Sequence, residues 1–321
     1  MFKDIKQVMK DSVLYGIGNV AVKLVGFILI PLYTDAEYFS TADYGLMGLL
    51  EVTSQILIAV MGLSLYSGLI RWYWDAEYRD KQKTIFFTTL LFTILTSLCI
   101  GSVLWLNVGE LSALLVQQEG YSLGGELPYI LQLLILTSML GAVVEVPQNL
   151  LRLQRKPIYY SLTNIVRLFV TLVLTIYFTI SLHRGVSGVY EAQLVGIVIQ
   201  LLMVLPLVIK NSSCRVDRRC TIQLLVYSYP LVFPAIVGSL LTVFDRYIIN
   251  HFQGLDDVGF YSLGYKVGNT LKVFIVTSVQ LALTPLLMKK MNDPDNKQFY
   301  SKVLTYFSFG LMFCALGLNL F

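Results

Sequence analysis

The sequence predicts an all-α polytopic membrane protein, with two pseudo-two-fold-related helical lobes around a central cavity, the second lobe incomplete, and about nine transmembrane helices in all. Three observations predict this class. The composition is 56% hydrophobic and only 14% charged, with a mean hydropathy of +0.68. Soluble domains carry roughly 25% charged residues, so this chain cannot cover itself with polar surface and lipid must be part of its solvent. The basic residues fall in alternate connecting segments, and one helical hairpin motif recurs 214 residues later.

A crossing helix needs about 20 apolar residues. Nine stretches qualify, at roughly 11–33, 44–70, 84–106, 128–151, 160–182, 188–209, 222–250, 258–287 and 300–320. Pro147, Pro230, Pro234 and Pro285 are expected kink points, tolerated because neighbouring helices satisfy the freed backbone groups. The first stretch is too long for a cleaved signal peptide and lacks a small-residue cleavage site. Residues 1–10 are expected to form a short interfacial helix.

The 24 Lys and Arg residues supply the orientation. Lys3, Lys6 and Lys10 precede the first span. Arg71, Arg79, Lys81 and Lys83 follow the second, and Arg152, Arg155 and Lys156 the fourth. Lys210, Arg215, Arg218 and Arg219 follow the sixth, and Lys289, Lys290, Lys297 and Lys302 lie around the eighth loop. The intervening segments contain one basic residue, Arg184. Positive charge is retained on the cytoplasmic side, so the N-terminus is expected there.

Ala42-Asp43-Tyr44-Gly45 lies over Asp256-Asp257-Val258-Gly259, and Tyr33 over Tyr247, at a constant shift of 214 residues. Each copy reads as an outer loop with an acidic turn, followed by the Gly-containing start of a span. Six spans precede the second copy, and an even number preserves orientation. The repeat is therefore expected to be parallel, the arrangement in which many transporters place a substrate site between lobes. It divides the chain into a six-helix lobe at 1–211 and a three-helix partial lobe at 212–321, with further helices expected beyond residue 321.

Five basic residues fall inside apolar spans: Lys23, Arg167, Arg246, Lys266 and Lys272. Intramembrane charge is costly and tends to mark function. Lys23 shares a narrow stripe with Ser12, Gly16, Asn19 and Gly26, which should face protein or water rather than lipid. Lys266, Asn269 and Lys272 form a second polar group. Arg167 can also be read as snorkelling to the interface, and Arg246 as pairing locally with Asp245 or a headgroup. Among the carboxylates, Glu145 is the candidate for ion coupling, with an ion pair to a neighbouring arginine as the plainer reading, and Glu51 and Glu191 lie near outer span ends. The implied cavity is basic and suits a phosphate or pyrophosphate held by point-charge ammonium groups.

Cys214 and Cys220 match no common zinc spacing, and Cys99 and Cys314 fall in apolar spans. His183 and His251 sit at outer helix ends. No metal or cofactor is expected, no enzyme motif competes, and no segment suggests nucleic-acid binding.

The stretches SVLYGIGNVAVKLVGFILIPLYT, STADYGLMGLLE and FDRYIINHFQGLDDVGFYSLGYKVGN resemble the polysaccharide and O-antigen flippases of the multidrug/oligosaccharidyl-lipid/polysaccharide exporter superfamily. The resemblance implies two six-helix lobes in a V around a cavity. It implies transport of undecaprenyl-pyrophosphate-linked oligosaccharides from the inner to the outer leaflet of a bacterial cytoplasmic membrane by alternating access. Lys23 before Leu24-Val25-Gly26-Phe27, and Lys266 after Tyr265, match places where related lipid II flippases carry basic residues. Lys23, Lys266, Lys272, Asn19, Asn269, Arg167 and Arg246 are thereby the candidate substrate contacts. Expected partners are the lipid-linked oligosaccharide, membrane lipids, and a polysaccharide polymerase or glycosyltransferases. Two alternatives stand beside this reading: a cation-coupled multidrug exporter of the same superfamily, and a membrane assembly subunit that does not transport.

Overall fold

The computed structural model describes residues 29–115, 125–213, 215–271 and 296–320. Among these the chain is helical, and six helices are long and apolar enough to cross a membrane: Thr41–Gly62, Tyr78–Leu106, Leu127–Leu153, Pro157–Ser181, Gly185–Asn211 and Arg218–Leu241. They coincide with the second to seventh expected spans. The first lies largely outside the described residues, the eighth is described to Leu271, and Pro285 lies outside them. The ninth is a helix from Asn296 to Leu320.

In chain order the helices are α1 (Ile30–Tyr33), α2 (Thr41–Gly62), α3 (Leu65–Trp72), α4 (Gln82–Leu106), α5 (Val108–Leu115), α6 (Leu127–Leu153), α7 (Pro157–Ile176), α8 (Gly185–Asn211), α9 (Arg218–Gln253), α10 (Leu255–Leu271) and α11 (Asn296–Leu320). A 3-10 turn, Ala76–Lys81, leads into α4, and a π-turn, Tyr177–Ser181, extends α7.

Three expectations are refined. The second expected span, 44–70, is too long to cross as one straight helix, and the chain breaks it at Leu63 and Ser64, both with left-handed φ (44° and 51°). Non-glycine residues pay for that region, and here the break is held by Ser64 Oγ donating to the Leu231 carbonyl (3.4 Å) and by burial of Leu65 and Leu69 beneath α3. A run of apolar residues around Gly62 gives no local sign of it. Between the third and fourth spans, where the spacing predicts only a connecting segment at 107–127, lies α5, which seats Val108 and Leu115 in a core. Asn250 donates to the Leu115 carbonyl (2.8 Å) and ties that helix to α9. The acidic turns of the two repeat copies prove to be helix starts. Asp43 closes a capping box with Ser40 (3.1 and 2.9 Å), and Asp256 and Asp257 occupy the first turn of α10, where carboxylates favour the positive end of the helix. Pro147, Pro230 and Pro234 lie within continuous helices.

The helix ends define two faces. On the basic face, Lys81 pairs with Asp217 (2.6 Å), Thr84 meets Ser213 (3.1 Å), and Gln154 bridges Tyr73 (3.1 Å) and Asn211 (2.8 Å). On the opposite face, Arg184 pairs with Glu191 (2.5 Å), which also accepts from Tyr129 (2.9 Å), and Tyr38 stacks on His183. Each face has its own apolar core. Leu49, Leu131, Ile135 and Val189 belong to the opposite-face core, and Leu69, Phe86 and Leu150 to the basic-face core.

α2 and α10 are packed backbone to backbone. A Cβ on Gly45 would lie 1.9 Å from the Leu255 carbonyl oxygen, and one on Gly259 would lie 2.5 Å from that of Thr41. One on Gly48 would lie 2.3 Å from Ser262 Oγ. Adding 214 to Thr41, Gly45 and Gly48 gives Leu255, Gly259 and Ser262, so the first two contacts are reciprocal and the third is self-paired. This is the pattern of an isologous two-fold interface. Such close approach is how membrane helices associate through small residues.

Gly45→Ala and Gly259→Ala should therefore each lower the melting temperature of the detergent-purified protein, at the ~1–3 kcal/mol scale of overpacking. Gly264→Ala on the same α10, where nothing lies within 4 Å, should not. A second expectation concerns acid. The Lys81 ammonium, and then the N–H groups of Cys220 and Arg219, hold the Asp217 carboxyl below its usual range. A depressed folded-state value contributes stability that is present above the unfolded value of about 3.9 and is lost as pH falls through the folded value. Asp217→Asn should flatten that acid limb, as followed by thermal melts from pH 6 to pH 3.

Candidate functional site

The three helix faces that meet inside the bundle each follow helical spacing. Tyr44, Gly48, Glu51 and Gln55 share one face of α2, Asn164, Arg167 and Thr171 one face of α7, and Ser262, Lys266 and Asn269 one face of α10. Together with Tyr33, Gln193 of α8 and Arg246 of α9, they line a cavity of about 700 Å³. Among the described residues its charged lining side chains are Glu51, Arg167, Arg246 and Lys266.

Arg246 is buried at 7% exposure. Its Nε donates to Ser262 Oγ (3.3 Å), and its guanidinium carbon lies 4.5 Å from the Tyr265 ring centre and 5.9 Å from that of Tyr261. The local reading of Arg246 with Asp245 is replaced. Asp245 accepts from the Arg246 backbone N–H (2.9 Å) and from the Tyr261 hydroxyl, while the guanidinium turns to the cavity. Among the described residues no ion pair joins the two side chains.

Lys266 reaches across to the α1–α2 turn. Its Nζ lies 5.5 Å from the ring centre of Tyr33 and 5.8 Å from that of Tyr44. The negative ring faces attract cations, so both cations on the α9–α10 side rest on tyrosines.

Arg167 comes from α7. It does not snorkel: its Nη1 donates to Gln200 Oε1 on α8 (3.1 Å), and the side chain lines the cavity. Gly196 lets the two helices approach, since a Cβ there would lie 2.1 Å from Thr171 Oγ1 and 3.2 Å from the Arg167 carbonyl oxygen.

The structure thus brings together Arg167, Arg246, Lys266 and Asn269. Lys23, Asn19 and Lys272 lie outside the described residues. Glu145 stands apart on α6. It is absent from the cavity wall, its Oε2 lies 3.9 Å from a Cβ built on Gly62, and among the described residues it forms no ion pair with Arg152. Arg152 instead lies over Tyr160 and bonds its hydroxyl. Sequence reasoning missed Tyr33, Tyr44 and Gln193 as wall residues, and placed Glu51 merely near a span end. The spacing of Tyr44, Gly48, Glu51 and Gln55 was the available signal.

The sequence profile of polysaccharide biosynthesis proteins matches residues 8–291. The chain belongs to that family. Solved structures of similar fold include the MATE multidrug transporter DinF-BH, at a TM-score of 0.70 and 15% identity over 95% of this chain and 71% of that one. Another is a MOP superfamily transporter from Pyrococcus furiosus whose binding pocket is described as of reverse polarity, at 0.66 and 15% identity over 94% and 70%. A third is an outward-facing multidrug resistance MATE family transporter, at 0.63 and 15% identity over 87% and 64%. The chain spans 64% to 71% of the length of these three structures. At such identity the likeness concerns the fold. No individually curated protein matches the chain.

If ring faces hold the cations, Tyr265→Phe should leave the melting temperature nearly unchanged. Tyr265→Leu should lower it by a small amount, on the order of 0.5–1 kcal/mol at a partly exposed site.

Proposed function

We propose that the protein is a flippase for lipid-linked oligosaccharides. It would carry an undecaprenyl-pyrophosphate-linked repeat unit across a bacterial cytoplasmic membrane by alternating access, with its N-terminus in the cytoplasm. The observation that carries this reading is the charge of the cavity wall, where, among the described residues, three cations accompany one carboxylate. A charge in the bilayer interior is costly, and a polyanionic headgroup would offset that cost. Arg246 presents a planar fork suited to phosphate, and Lys266 a compact point charge. Amides at Gln55, Asn164, Gln193 and Asn269 add donors and acceptors suited to sugar hydroxyls. The family match, to polysaccharide biosynthesis proteins, supports the same class of cargo.

In this reading residues 1–211 form one lobe and 212–321 belong to the other, joined across the α2–α10 glycines. Lys23, Asn19 and Lys272 complete the cationic set, and a polymerase or glycosyltransferases supply and receive the lipid. The second reading is a cation-coupled multidrug exporter. Glu51, a carboxylate exposed in the cavity, and the multidrug names of two structural relatives favour it. The polarity of the wall favours the flippase.

Arg246→Gln and Lys266→Gln in the full-length protein should each slow the transfer of a pyrophosphate-linked lipid in proteoliposomes by about ten- to a hundredfold, the scale of a lost hydrogen bond to a charged group. Unchanged flipping with lost dye efflux would support the exporter instead. Glu145→Gln tests the remaining candidate: off the cavity wall, it should leave headgroup binding intact.

A further inference from the structure

Gln200 sits behind the cavity wall, 1% exposed, between the α7 residues Asn164 and Arg167. Its Oε1 accepts from Arg167 Nη1 (3.1 Å), and its Nε2 donates to Asn164 Oδ1 (3.0 Å). Asn164 Nδ2 in turn donates to the Tyr160 carbonyl (2.8 Å).

The chain has one possible polarity. The Tyr160 carbonyl can only accept, so the amide nitrogen of Asn164 faces it and the amide oxygen faces Gln200. That oxygen needs a donor, so Gln200 turns its nitrogen to Asn164 and its oxygen to Arg167. A guanidinium has donors alone and fits the open end. A backbone carbonyl thus sets the placement of a cavity cation through two amides. Because the partner is neutral, the charge of Arg167 survives, and among the described residues no carboxylate pairs with it. One bond anchors the fork and leaves its other donors for the cavity.

Resting on the flippase reading, we propose that Gln200 is a positioning residue. It holds Arg167 as an anion contact on the α7–α8 wall, so that a bound pyrophosphate group is gripped by this wall as well as by Arg246 and Lys266 on α9–α10.

The test is binding of inorganic pyrophosphate to the full-length protein in detergent, by calorimetry, with melting temperature recorded for every variant. Arg167→Gln should weaken binding by about tenfold. Gln200→Leu should weaken it several-fold, and the double variant should bind no more weakly than Arg167→Gln alone, because Gln200 acts through Arg167. Gln200→Glu keeps the size and the acceptor but neutralises Arg167. It should weaken binding at least as much as Gln200→Leu while the protein still melts cooperatively, and it carries the test if the leucine variant fails to fold. Additive losses in the double variant would overturn the proposal, as would normal binding by both Gln200 variants while Arg167→Gln binds weakly. If Arg246→Gln and Lys266→Gln weaken binding but the Arg167 and Gln200 variants do not, this inference alone falls. Wild-type protein that binds no pyrophosphate overturns the flippase reading and this inference together.

Discussion

Gly45 and Gly259 lack the one atom that would keep α2 from touching α10. Each presents its backbone to a carbonyl of the other helix, and Gly48 faces Ser262 between them. The rest of the described interior depends on this contact. From Gly48 the same face of α2 continues to Glu51 and Gln55, and from Ser262 that of α10 continues to Lys266 and Asn269. One register therefore sets both a backbone-to-backbone helix contact and two walls of the cavity. A shift of even one residue would rotate Lys266 by about 100° and carry it off that wall. The glycines contribute geometry as much as stability.

Within that frame the two cavity arginines are held in an unusual manner for intramembrane charge. A pairing carboxylate would be the common solution, and it would cancel the charge. Here, among the described residues, Arg246 rests on Tyr265 and Ser262, and Arg167 on an amide. Ring faces and amide oxygens orient a cation while leaving most of its field outside the contact. Under the flippase reading the wall would be preorganised for an anion at some cost in stability, with the apolar cores on either face supplying the compensating burial.

Much of this frame was legible in the sequence. Loop charge and span length located the second to seventh helices because both are properties of composition. The repeat was legible because Asp-Tyr-Gly and Asp-Val-Gly mark the same helix start twice. What escaped was whatever depended on a partner. The break at Leu63 and Ser64 is held by a carbonyl on α9 and by a core that α3 completes. Arg246 has an aspartate as its nearest neighbour in the chain, yet its guanidinium turns to residues 16 and 19 positions later. Arg167 looked free to snorkel until Gln200, 33 positions away, was seen to hold it. Glu51 lies near a span end and still faces the cavity, because the cavity sits in the half of the molecule away from the basic loops.

The two-fold frame and the electrostatics part company in an instructive way. The 214-residue shift that maps Gly45 on Gly259 also maps Tyr33 on Tyr247, Glu51 on Tyr265, Val52 on Lys266 and Leu32 on Arg246. The backbone contacts have stayed alike between the copies while the wall residues have not. The cations of α9 and α10 have no counterpart in the first copy, and the balancing cation, Arg167, comes from α7. An anion gripped by both sets spans two helix groups that meet at the α2–α10 glycines and where α9 packs on α2 and α3. A ligand shifts a conformational equilibrium only by its differential affinity for the two states. Under the flippase reading, the headgroup gains that leverage because its contacts lie on separate bodies: any rotation about the α2–α10 contact changes the distance between its anchors. A symmetric wall carried by one lobe would bind as well and move nothing.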